Sequence, residues 1–163
     1  MFPPQPDGVF RFTQLQKSWT ASAKPERYRR GLYTHFWRSA PYPALLAFDA
    51  PDGVNCCTRR TRSNTPLQAL TLLNDEAFLE FSQGLAMRLL RESSLSNQAR
   101  LDYAFRLCLG RPPSPTERDQ LASFLQTQLA EFQAEPEQAT AFAGTKDKPV
   151  ELAAWTALAR VLM

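Results

Sequence analysis

The chain has 163 residues, 44% of them hydrophobic and 21% charged, with a net charge of +3. That is about one domain's worth of ordinary globular composition, enough to bury a core, and no apolar run approaches the roughly 18–20 residues that cross a bilayer. Three cysteines, two of them adjacent, and a single histidine leave little basis for a disulfide framework or a metal site.

Taken in chain order, residues 1–24 show no helical period and read as an extended arm. MFPPQPDGVFRF has prolines and Asp7 where an export signal has a basic and then an apolar region, so no export signal is read there. GVFRFTQ, residues 8–14, alternates apolar and polar residues as a short strand or extended segment does. PERYRRGLYTHFWRSA predicts a helix over 25–40, with Tyr28, Leu32, His35 and Phe36 on one face, stopped by Pro41 and Pro43. Residues 41–64 read as a long ordered loop with a Pro-Asp-Gly turn at 51–53.

Thr65-Pro66-Leu67-Gln68 is a capping box with proline at the first helical position. Leu67, Leu70, Leu73, Ala77, Phe78, Phe81, Leu85 and Leu89 then keep a helical period to Arg91, with a break at Asn74-Asp75 as an open alternative. NQARLDYAFRLCL, residues 97–109, predicts an amphipathic helix with Tyr103, Ala104, Leu107 and Cys108 inward and Gly110 as its stop. Ser114-Pro115-Thr116-Glu117 is a second capping box, followed by the stripe Leu121, Phe124, Leu125, Leu129 and Phe132. A short helix near Pro136 and a last one over 150–163 complete the series. The last helix carries Leu152, Trp155, Thr156, Ala159 and Leu162 on one side, and its period is unbroken at Met163. The expectation is a mostly α chain: an irregular N-terminal third with a long loop, then an orthogonal or bundle-like array of five to seven helices. We expect one helical domain over 1–163, divided as arm (1–24), helix plus loop (25–64) and array (65–163), and cut from a larger protein.

Charge is uneven. Residues 1–62 hold 10 Lys/Arg against 4 Asp/Glu, and the remainder is mildly acidic. Arg59, Arg60 and Arg62 crowd the approach to the Thr65 helix start. A helix N-terminus offers free amides and a positive dipole end, and arginines add forked donors. Together with Asn64 and Thr65 they form a candidate anion site for phosphate, sulfate or carboxylate, with Asp49, Cys56 or His35 in support. The competing reading pairs the arginines with Asp49, Asp52, Asp75 or Glu76 and pins the loop to the helix. Asp49 and Asp52 suit a catalytic carboxylate pair or an ordinary turn. His35, on an apolar face, suits a packed residue better than a catalytic one. Cys56 and Cys57 beside positive charge are candidate reactive thiols or small apolar fillers. No nucleotide-binding, nucleophile-elbow or metalloprotease pattern occurs, and neither metal nor cofactor is called for. Nucleic-acid binding is disfavoured, since the arginines are not interleaved with aromatics and the overall charge is small.

Tyr33, Thr34, Phe36 and Trp37, then Phe48 to Pro51, Cys56, Arg59, Arg60, Arg62, Asn64 to Leu70 and Leu73 to Asp75 carry a resemblance. They resemble an uncharacterised C-terminal domain of large planctomycete and verrucomicrobial secreted proteins, domain of unknown function 1553. FRLCLGRPPSPTE and ELAAWTALARVLM resemble the family's later segments. His35 interrupts the family's aromatic motif, and Cys57 stands where threonine is usual. The resemblance implies upstream partner domains, often with a cytochrome c domain, and an extracellular or envelope location. It implies no haem for this segment, which lacks a C-x-x-C-H motif, and no reaction. The chain alone reads as an interaction or structural module more than an enzyme. The alternative is a carbohydrate-active enzyme part that binds an anionic glycan through the arginines.

Overall fold

The computed structural model describes residues 1–5, 7–11, 18–38, 40–92 and 96–163. Among them are eight α-helices and no strand. The helices are α1 (Lys24–Arg27), α2 (Pro43–Ala47), α3 (Pro66–Asn74), α4 (Glu76–Glu92), α5 (Asn97–Leu109), α6 (Pro115–Ala134), α7 (Pro136–Ala143) and α8 (Pro149–Leu162). The mostly α class holds, with six helices after residue 64. None of the helices is long and apolar enough, among the described residues, to cross a membrane. Six of the eight carry proline in their first two positions, where its missing N–H breaks no helical bond. The chain divides into two compact units, Met1–Phe78 and Leu79–Met163.

The first unit is held by aromatic packing rather than by long helices. Trp19 stacks on Tyr42 with centroids 5.7 Å apart, and Phe10 tilts against Trp19 at 5.5 Å. Trp19 Nε1–H donates to Pro3 O at 2.7 Å, and the Tyr42 hydroxyl donates to Pro4 O at 2.9 Å. Burial, aided by the charge of Asp75, pushes the Tyr42 pKa up. The arm folds back on itself: Ser22 N donates to Phe2 O, and Phe2 N to Ser22 Oγ.

Two expectations fail here. Residues 25–40 do not form one helix. α1 ends at Arg27, a 3-10 turn covers Gly31–Tyr33, and the described residues 34–38 and 40–42 are not helical. Gly31 weakens the middle, and Tyr33, Thr34, His35, Phe36 and Trp37 are all poor helix formers. The irregular backbone puts His35 among Phe2 and Trp37, each at 4.8 Å, and Trp19 at 6.5 Å. It leaves Leu32, expected inward, exposed. At residues 8–14, Gly8 to Arg11 form a turn, with Gly8 at φ +82 and Arg11 N donating to Gly8 O at 2.9 Å. Residues 12–14 lie outside the described residues.

The helix series breaks at Asp75, which leaves helical geometry and accepts the Ala77 amide on Oδ1 at 2.8 Å, so it caps α4. α4 carries the unit boundary in its first turn.

The second unit is built round α8. Leu152, Ala153, Ala154, Trp155, Thr156, Leu158, Ala159 and Leu162 are all buried, so this helix is enclosed on most sides. α6 and α7 pack along it, with α5 against α6. Leu121 and Leu125 face inward from α6, and Leu101, Ala104 and Phe105 from α5. Leu107, expected inward, is exposed, because the buried face of α5 passes through Leu101 and Phe105 instead. Arg118 grips Asp102 with two bonds of 2.8 and 3.1 Å, joining α6 to α5. Both capping boxes are fully formed, at Thr65/Gln68 and at Ser114/Glu117. Gly110 and Gly144 close α5 and α7 in the left-handed conformation.

Candidate functional site

The 48–68 segment of the first unit is organised by Asp49. This residue follows α2 in a left-handed conformation, φ +57, which Asp tolerates better than most side chains. Its carboxylate accepts the Ser63 amide at 2.7 Å and the Ser63 hydroxyl at 2.8–2.9 Å. Gln68 completes the fastening. Its Nε2 donates to Ser63 Oγ and to Ala47 O, both at 2.9 Å, while its Oε1 accepts the Thr65 amide at 3.1 Å. Only 8% of Gln68 is exposed, so these bonds are shielded and geometrically specific. The bonds from Ser63, the nearby Gln68 and the Arg60 charge hold the Asp49 pKa below the usual carboxylate value.

Between these fastened ends, residues 51–64 are exposed throughout. Asp52 folds the start of the loop locally. It accepts the Val54 and Asn55 amides at 2.9 and 3.1 Å and the Asn55 side chain at 3.0 Å. These bonds depress its pKa as well. Gly53 takes φ +70, and a Cβ there would lie 2.8 Å from the Phe36 ring, so no other residue fits without a shift. A general acid needs a raised pKa. Asp49 and Asp52 both have lowered ones, and both are engaged in turns.

Arg59, Arg60 and Arg62 stand on the exposed stretch and, with Thr61, line an open cleft of about 660 Å³. Arg60 Nη2 donates to Phe48 O at 3.3 Å, which ties one arginine back to the α2 end. Among the described residues none of the three makes an ion pair with a carboxylate. Of the expected carboxylate partners, Asp49 accepts from Ser63, Asp52 from Val54 and Asn55, and Asp75 from the Ala77 amide. The Thr65 hydroxyl is likewise committed, accepting the Gln68 amide at 3.3 Å. The capping box therefore satisfies the α3 start internally, and the positive character of the loop comes from its guanidinium groups. Asn64 is exposed beside them, and so are the free thiols of Cys56 and Cys57. The ring contacts of His35 are with Phe2, Trp19 and Trp37. Among the described residues no cluster of His, Cys, Asp and Glu has the make-up of a metal site.

Ser63 is the residue that sequence reasoning missed. A serine between an arginine and an asparagine carries no periodic signal, and its partner is 14 residues away.

One face of α3 departs from the rule that apolar stripes turn inward. Leu67, Leu70 and Leu73 are 62%, 55% and 51% exposed. The helix directly follows the arginine stretch, so an apolar stripe and a basic loop are contiguous in the chain.

No curated protein and no solved structure matches this chain. A family model described as protein of unknown function (DUF1553), PSD1, matches residues 1–125, so the chain belongs to that family.

Proposed function

We propose that this chain is an interaction module of a multidomain protein, docking a protein partner through α3 and the arginine loop in front of it. The observation that carries this reading is the exposed stripe of Leu67, Leu70 and Leu73. Contiguous exposed leucines rimmed by polar groups mark contact surfaces, and arginine beside an apolar patch is a favoured composition for their energetic centre. The partner that fits best is an upstream domain of the same family protein, presenting carboxylates to Arg59, Arg60 and Arg62. An extracellular or envelope setting belongs to this proposal.

The test uses the double variant Leu67→Ser, Leu70→Ser. The parent chain is expected to bind a hydrophobic dye and to self-associate on size-exclusion. The variant loses both with an unchanged helical spectrum. Dye binding that persists unchanged in the variant sinks the reading.

A second reading is favoured by one fact: none of the three arginines makes an ion pair with a carboxylate among the described residues. Exposed guanidinium groups around one cleft suit an anionic glycan, bound as part of a carbohydrate-active enzyme. Stabilisation of the chain by a sulfated glycan, sensitive to salt and lost in Arg60→Ala, would replace the first reading by this one. Stabilisation by an oligonucleotide alone would point to nucleic acid instead.

A further inference from the structure

The last helix begins without a side-chain cap. Lys148 stands at its N-cap in a left-handed conformation, φ +44, and supplies no acceptor. Pro149 has no amide. The Val150 and Glu151 amides are left to an acceptor from outside the helix, with the positive end of 14 residues of aligned dipole behind them.

A second feature, independent of the first, lies just inside. Trp155 is 0% exposed, yet its indole Nε1–H has no acceptor among the described residues. An indole N–H only donates, and buried donors are almost always paired. The same residue borders a cleft of about 470 Å³ with Asn97, Leu129, Gln133, Lys148 and Val150. Helical side chains lean toward the N-terminus of their own helix. Trp155 is thus directed back toward the α8 start, where Lys148 and Val150 line the cleft.

The volume suits a small organic molecule. The indole N–H, the first-turn amides and the Lys148 ammonium are all donors. The carboxylate at the rim, Glu151, is held by Arg100 at 3.5 Å. Leu129, Pro149 and Val150 make the rest of the wall hydrocarbon. A matching ligand has an anionic acceptor head on an apolar body. We propose that this cleft binds a small organic carboxylate. Its oxygens accept from Trp155 Nε1–H and the α8 start, and Lys148 supplies the counter-charge. Inorganic phosphate matches the donors but leaves the hydrocarbon wall unused. A neutral amide of the same shape fills the wall but brings no charge to Lys148 and the dipole.

The chain has three tryptophans, so nitrogen-labelled protein gives three indole N–H signals. Trp155→Phe assigns one; if that variant folds poorly, Trp19→Phe and Trp37→Phe assign the other two and leave it by difference. Hexanoate, hexanamide and inorganic phosphate are titrated separately. Hexanoate is expected to move the Trp155 signal saturably. Hexanamide and phosphate bind about tenfold more weakly or less, and Lys148→Gln weakens hexanoate by about tenfold with the other two indole signals in place. A Trp155 signal that stays still in hexanoate overturns the proposal. So does equal binding of hexanamide or phosphate, or a Lys148→Gln variant with unchanged affinity.

Discussion

The Asp49 carboxylate takes both the amide and the hydroxyl of Ser63, closing the exposed arginine loop on itself at 2.7–2.9 Å. Asn is at ease in the left-handed conformation of Asp49, so Asp49→Asn keeps the backbone and removes the charge. The Ser63 amide is then expected to exchange with solvent several-fold faster, with α5 to α8 unaffected. The fastening also has a pH sense. The Asp49 pKa is lowered on folding from 3.8, so its contribution is complete above that value and fades as pH falls through the depressed pKa. Exchange at Ser63 that is unchanged in the variant would show that the loop is held by other contacts.

Arg60→Ala separates ligand binding from architecture. Arg60 is exposed, with one long bond to Phe48 O. Surface changes of this kind alter stability by about 0.5 kcal/mol or less. Thermal unfolding of the variant should overlay the parent. A loss of several kcal/mol would mean that the guanidinium neutralises a buried carboxylate.

The Arg111–Glu117 pair gives a pH signature in the second unit. Glu117 receives two Arg111 bonds of 2.8 and 2.9 Å and the Ser114 amide at 2.8 Å. Arg111 first, and Ser114 next, lower its pKa from 4.5 to about 2. A carboxyl whose pKa drops on folding stabilises fully above its unfolded value. The contribution is therefore present above pH 4.5 and is lost between pH 4.5 and about 2. Glu117→Gln should flatten the fall of Tm across that window; a parallel fall in both proteins would refute the assignment.

Leu158 tests the α8-centred core. It is fully buried, whereas Val161 on the same helix is exposed. Leu158→Ala is expected to lower the unfolding free energy by about 2–5 kcal/mol, and Val161→Ala by about 0.5 kcal/mol or less. Urea denaturation followed by circular dichroism measures both. Equal losses would mean that α8 is not enclosed as described.

What the sequence disclosed depended on the range of the interaction. Thr65/Gln68 and Ser114/Glu117 are four-residue devices, and both helix starts fall where they were read. α5 runs over 97–109 because Gly110 and the apolar period speak locally. The 25–40 segment keeps a helical period in its aromatic residues yet does not form one helix. Their packing partners, Phe2 and Trp19, lie in the arm. The short helix α2 sat inside what read as loop, its five residues too few to show a period. At the candidate site the three arginines were plain, but not their exposure. That depends on Ser63 holding Asp49, a pairing between two polar residues with no pattern to connect them.

The prolines that open six helices reach beyond the folded molecule. A pyrrolidine ring narrows φ in the denatured ensemble as it does in the helix. At each compatible site this removes about 0.4–1 kcal/mol of entropy that folding would otherwise forfeit. The residues that must nucleate these helices are thus held near helical geometry before any tertiary contact forms, where nucleation is otherwise the costly step. Part of this chain's folding free energy accordingly resides in how little freedom its unfolded form has to regain.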